Sequence, residues 1–126
     1  MKQPFKIRPT HIPSPASHEI SVTFEVPQDL FFEVVSHANI GHWCDLNKTE
    51  RKADVFFIHE GDEDVVHELD YFGFVRGIAR IFQDECAGKY NNKWHNTVKL
   101  LSEREYDAGY ADDILQYALF GKLVYC

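Results

Sequence analysis

The sequence predicts an α+β fold, a small three-stranded and mainly antiparallel sheet packed against three or four helices, and three patterns carry that expectation. The last sixteen residues are the densest apolar stretch, with Ala111, Ile114, Leu115, Ala118 and Leu119 spaced as one stripe of a helix of 3.6 residues per turn. Between Glu19 and Val26, the apolar Ile20, Val22, Phe24 and Val26 alternate with Ser21, Thr23 and Glu25, the period of a strand with one buried face. Two more strand-like runs, Asp54 to His59 and Asp64 to Leu69, flank Glu60-Gly61-Asp62-Glu63, which has the residue types of a hairpin turn.

In chain order, residues 1–18 hold Pro4, Pro9, Pro13 and Pro15, which forbid a continuous helix or central strand and predict an extended arm. Residues 19–126 are then one α+β domain. After the first strand, Pro27 suits the first turn of a helix, where its missing N–H is no loss, and Asp29 complements the positive end of the helix dipole. Phe31, Val34, Val35 and Ala38 are its buried stripe, and Gly41 lies near its end. Lys48 to Lys52 reads as a basic loop. Asp70 can cap a helix from Tyr71 to about Cys86, with Gly88 as the stop signal. Gly73 and Gly77 lie four apart on it, which lowers helicity and predicts the close approach of another backbone. Asn91 to Ser102 adds a short helix carrying Trp94, Val98 and Leu101. Asp107 or Gly109 precedes the last helix, with Asp112 and Asp113 in its first turn and Asp112, Asp113 and Gln116 on its outer, polar side. Gly121 closes it, and Leu123, Val124 and Tyr125 follow as strand-like or core-plugging residues.

Composition narrows the class. A chain of 126 residues with 44% hydrophobic and 14% aromatic residues can bury a single core without staples. Three cysteines, Cys44, Cys86 and Cys126, have neither disulfide-framework nor metal spacing, which predicts a reducing cytoplasm. No apolar secretory segment and no membrane-spanning run is expected. The formal net charge is −7, and all 20 acids lie beyond residue 18, so direct nucleic-acid binding, which needs a basic face, is not expected. The sharpest acidic block runs from Ala53 to Val75 without one Lys or Arg.

No nucleophile elbow, phosphate loop or dinucleotide fingerprint is present, and no cofactor is implied. His37, His42, Cys44, His59 and His67 are the types that bind a transition metal, but only one closely spaced pair occurs, so ordinary hydrogen-bonded histidines are the expectation. A Cys44–histidine nucleophile needs a base and an orienting third group, with His59 or His67 as the base, and core packing beside Trp43 is the simpler reading. Glu60, Asp62 and Asp64 alternate like part of a cation loop, but the full calcium-loop pattern is not met. The adjacent pairs Phe31-Phe32 and Phe56-Phe57 point in two directions each, leaving apolar surface for an oligomer interface or a flat ligand.

The run Gln116-Tyr117-Ala118-Leu119-Phe120-Gly121-Lys122-Leu123-Val124-Tyr125 resembles the C-terminal signature of a family of small proteins encoded by tailed phages and prophages. In that family an acidic helix start leads into Gln-hydrophobic-Ala-hydrophobic-Phe-Gly, a hydrophobic pair, Tyr and a final Gly, whose place here is taken by Cys126. The resemblance extends more loosely to Ile20–Cys44, ending in Gly-His-Trp-Cys. It implies a genomic setting and carries no catalytic residue or ligand. The expectation is therefore a non-enzymatic cytoplasmic accessory protein that binds a host protein, in the manner of an inhibitor of a host defence system. Its binding surface would be the acidic Glu60, Asp62, Glu63, Asp64, Glu68 and Asp70. Two alternatives stand beside it. An oligomer would sequester a nucleotide-like ligand with Arg76, Arg80, Trp94 and Tyr117, or a Cys/His-dependent or metal-dependent enzyme would use His42, Cys44, His59 and His67.

Overall fold

The alternation around residues 20–26 becomes strand β2, Val22–Pro27, and its partner is the N-terminal segment. In the computed structural model, which describes residues 2–7, 22–61, 65–88 and 97–125, Lys2–Ile7 forms strand β1 and pairs antiparallel with β2, Phe5 opposite Phe24. Pro4 is tolerated because a two-stranded ribbon consists only of edges. Part of the predicted Pro-rich arm is thus a strand, and residues 8–18 lie outside the described set.

The three-stranded antiparallel sheet is present, but its membership differs from the sequence reading. It consists of β3 (Glu50–Lys52), β4 (Val55–Glu60) and β5 (Val65–Leu69) in that order. Residues 50–52, read as basic loop, replace the 19–26 strand as the third member. Alternation reveals that a segment is a strand and which face it buries, but not which strand it pairs with. The three residues of β3 are all exposed and show no alternation to read. Ile58 pairs with His67 and Phe56 with Leu69, so Phe56, Ile58, His67 and Leu69 share the face turned to the helices.

Four helices complete the α+β fold. Helix α1, Gln28–His37, follows Pro27 and buries Leu30, Phe31, Val34 and Val35. Helix α2, Tyr71–Cys86, has the predicted bounds, and the Asp70 carboxylate accepts the Gly73 N–H at 2.8 Å as its cap. Helix α3, Thr97–Ser102, is the described part of the predicted 91–102 helix. Helix α4, Ala108–Phe120, is capped by Asp107, whose carboxylate accepts the Tyr110 N–H at 2.7 Å, and it closes on Gly121 at φ +74°. Because α4 begins at Ala108, Asp112 and Asp113 fall in its second turn rather than its first.

The core lies between the helix layer and the inner face of the sheet. Phe31 packs on Phe56 at 5.2 Å and on Phe74 at 5.1 Å between ring centroids, joining α1, β4 and α2. The second member of the first aromatic pair, Phe32, is capped by the Arg51 guanidinium 4.1 Å above its ring. Helices α2 and α4 share the most extensive helix–helix interface. At their crossing, a Cβ on Gly77 would stand 2.8 Å from the Ala118 nitrogen, the backbone approach that the glycine spacing predicts. Among the described residues no helix is long and apolar enough to cross a membrane.

Candidate functional site

The turn after α1 carries His42 and Trp43, and three backbone hydrogen bonds fix it. Asn39 N–H donates to the Ala108 carbonyl at 3.2 Å, Asp45 N–H to His59 at 2.9 Å, and Gly61 N–H to Trp43 at 2.9 Å. Cys44 forms an antiparallel bridge with Glu60. The segment is therefore tied at once to the start of α4 and to the end of β4.

Across from it, α4 presents polar groups where the sequence pattern placed an outer face. Asp112 is 6% exposed and Gln116 is fully buried, which corrects that expectation. An indole N–H taken out of water needs an acceptor. Trp43 Nε1 donates to Asp112 Oδ1 at 2.8 Å, and His42 Nε2, holding its proton toward a carboxylate that only accepts, donates to Asp112 Oδ2 at 2.8 Å. Gln116 adds a bond to Asp112 at 3.2 Å, as an i,i+4 neighbour can. Its amide also binds the C-terminal segment as a peptide group would. The Gln116 carbonyl accepts the N–H groups of Val124 (2.9 Å) and Tyr125 (2.8 Å), and its NH2 donates to the Tyr125 carbonyl (3.1 Å).

So held, Tyr125 stacks on Trp43 with centroids 5.4 Å apart and planes 4° from parallel. Its hydroxyl donates to Glu60 Oε2, and His67 Nε2 donates to Glu60 Oε1 at 2.8 Å. These two bonds, the tyrosine's first, hold the Glu60 carboxyl below the usual range. One connected set of side chains, His42, Trp43, Asp112, Gln116, Tyr125, Glu60 and His67, thus joins four parts of the chain.

Beside it opens a cleft of about 980 Å³, lined by Asn39, His42, Leu100, Glu105, Tyr106, Asp107, Gly109, Tyr110, Asp112, Asp113, Leu123 and Tyr125. Four of these are carboxylates and none is Lys or Arg. Asp113 is half-buried and, among the described residues, receives no hydrogen bond; burial first, then the charges of Asp112 and Asp107, push its pKa up to about 6.

The residues singled out from the sequence fall in several places. In the acidic block, Glu60 is engaged as above, Asp70 caps α2, Glu68 is exposed, and Asp62, Glu63 and Asp64 lie outside the described residues. Arg76 and Arg80 are exposed one turn apart on α2, Tyr117 is buried with its hydroxyl on Asp84, and Trp94 lies outside the described residues. Cys44 is buried, and desolvation, helped by the charges of Asp112 and Glu60, pushes its thiol up to about 12, the reverse of an activated nucleophile. His42 and His67 meet different carboxylates, and among the described residues no three His, Cys, Asp or Glu side chains gather as a metal site requires. Asp112, Asp113, Glu105 and the cleft tyrosines were not singled out as binding residues. Two signals pointed toward Asp112 and Gln116: a four-residue polar spacing inside the most apolar segment, and a tryptophan within a histidine–cysteine pair that needs an acceptor. No family model matches the chain, and neither a characterised protein nor a solved structure does.

Proposed function

We propose that the protein acts by binding, as a phage or prophage accessory protein that occupies a basic surface of a host protein and so blunts a host defence system. The observation that carries the binding reading is the cleft, with four carboxylates, His42 and three tyrosines in its walls and no basic Lys or Arg among them. Such a site attracts cations and repels nucleic acid, and the net charge of −7 extends the same field around the molecule. The phage setting rests on the resemblance at Gln116–Tyr125. Glu60 of the acidic block bonds Tyr125 of the cleft wall, which supports counting that block with the cleft in the binding reading.

Calorimetric titration with a terminally blocked, Lys- and Arg-containing peptide tests the reading. Binding should weaken steeply with salt, and Glu105→Lys, at an exposed wall position, should weaken it about tenfold or more, the size of one lost charge-assisted contact. The combined change Glu63→Lys, Asp64→Lys and Glu68→Lys measures the share of the hairpin. An absence of binding by the unaltered protein, or an affinity indifferent to Glu105→Lys, would remove the cleft from the proposal.

A further inference from the structure

The walls of the cleft are aromatic as well as acidic, and the hydroxyls of its tyrosines are all committed elsewhere. Tyr106 donates to Glu33 at 2.7 Å, Tyr110 to Glu85 at 3.1 Å, and Tyr125 to Glu60. None of those three glutamates lines the cleft. The tyrosines therefore turn ring rather than hydroxyl toward the cleft, and the half-buried Tyr106 offers the most, since Tyr110 is 7% exposed and one face of Tyr125 is covered by Trp43. A phenol that donates to a carboxylate also gains electron density in its ring, which strengthens the attraction of the ring face for a cation. Opposite needs are met by Asp113 and Glu105, whose carboxylates accept no hydrogen bond from a described residue, whereas Asp112 already accepts three.

A hard metal ion does not suit these walls, since among the described residues no three carboxylate, histidine or cysteine side chains converge as its coordination would require. An ammonium group is compact and strongly hydrated, and loses more on entering an apolar-walled site. A guanidinium is flat and weakly hydrated; it offers five N–H donors in one plane to carboxylates while its face lies on an aromatic ring. Resting on the binding reading above, we propose that the cleft recognises an arginine side chain of a basic protein segment, its guanidinium paired with the Asp113 carboxylate and covered by the Tyr106 ring.

Two blocked peptides identical except for Arg or Lys at the basic position, titrated into the full chain at one ionic strength, test this. The Arg peptide should bind about tenfold more tightly, a difference of about 1.4 kcal/mol. Tyr106→Phe, which keeps the ring, should preserve the preference, and Tyr106→Leu should abolish it. Asp113→Asn should weaken the Arg peptide about tenfold while the thermal transition persists. Equal affinities, or a tighter Lys peptide, would overturn the arginine assignment and leave cation binding standing. Loss of the preference in Tyr106→Phe would also overturn it, since the hydroxyl and not the ring would then be the recognising group. Binding of neither peptide would overturn the binding reading itself.

Discussion

Substituting alanine at the two glycines of α2 should give opposite results, although both lie on one helix and four residues apart. In isolation each change favours the helix by up to about 1 kcal/mol, because glycine loses more backbone entropy on ordering. At Gly77 the added Cβ would stand 2.8 Å from the Ala118 nitrogen, 2.9 Å from its Cα and 2.9 Å from its Cβ. Non-bonded carbons settle about 3.5–4.0 Å apart, so α2 and α4 would have to part by more than about half an ångström. Backbone cannot rotate away as a side-chain end can, and the shift would be felt by Ile114, Leu115 and Tyr117, all at most 2% exposed. Overpacking of this kind costs about 1–3 kcal/mol, so after a helical gain of about 1 kcal/mol Gly77→Ala should be destabilised by up to about 2 kcal/mol. At Gly73 the nearest atoms are Leu69 Cδ1 at 3.2 Å and Asp70 Oδ1 at 3.4 Å, both on side chains. There the helical gain should survive, making Gly73→Ala neutral or more stable by a few tenths to about 1 kcal/mol. Urea denaturation of the two variants, with unchanged slopes, measures the difference directly. Adding Ala118→Gly to Gly77→Ala should restore only part of the loss, because the backbone of residue 118 would still crowd the new methyl group. If Gly77→Ala were as stable as Gly73→Ala, the close crossing of α2 and α4 would be refuted.

Leu115→Ala, at a fully buried position of α4, should cost about 2–5 kcal/mol in the same assay, from lost transfer energy and an unfilled cavity. Burial, then the charges of Asp112 and Asp107, push the Asp113 carboxyl up to about 6 from 3.8 for a free side chain, so between those values the native state holds a proton that the unfolded chain has released. That contribution to stability should be present below about pH 4 and be lost as pH rises through about 6. Asp113→Asn should therefore flatten that part of the stability profile and melt no lower than the unaltered protein at pH 7; a lower melt at pH 7 would place the carboxylate in a stabilising contact instead. Cys44, its thiol pushed up to about 12 by burial and neighbouring carboxylates, should resist a thiol reagent at pH 8 until urea unfolds the chain, as peptide mapping of the labelled sites would show.

The helices were legible in the sequence to the extent that local chemistry alone defines them. The Asp70 cap, the bounds of α2, the stop at Gly121 with φ +74° and the buried Ile114, Leu115 and Leu101 all follow from capping and 3.6-residue periodicity. The strands that alternate were legible as strands, because alternation is also local. Their pairing was not: β2 joins the N-terminal Lys2–Ile7, and the exposed Glu50–Lys52 takes the third place in the larger sheet. Strand partners are chosen by long-range contact, and nothing within a strand names its neighbour.

The polar side of α4 marks the same division more sharply. By residue type alone, Asp112 and Gln116 belong to a solvated face; in the fold they are buried because Trp43, His42 and the Val124–Tyr125 backbone supply their hydrogen bonds. A polar group goes inside only when its partners are there, and those partners lie about 70 residues upstream or beyond the helix end. The sequence by itself determined the α+β class, the caps and stops of α2 and α4 and the acidic balance of the chain. The tertiary structure alone decided which strands pair, that the Cys44 thiol is buried beside Asp112 and Glu60, and that Glu105, Asp107, Asp112 and Asp113 share a cleft with Tyr106, Tyr110 and Tyr125. Propensity, periodicity and net charge act over a few residues or over the whole chain, whereas a site is made by side chains that only folding brings within about 3 Å of one another.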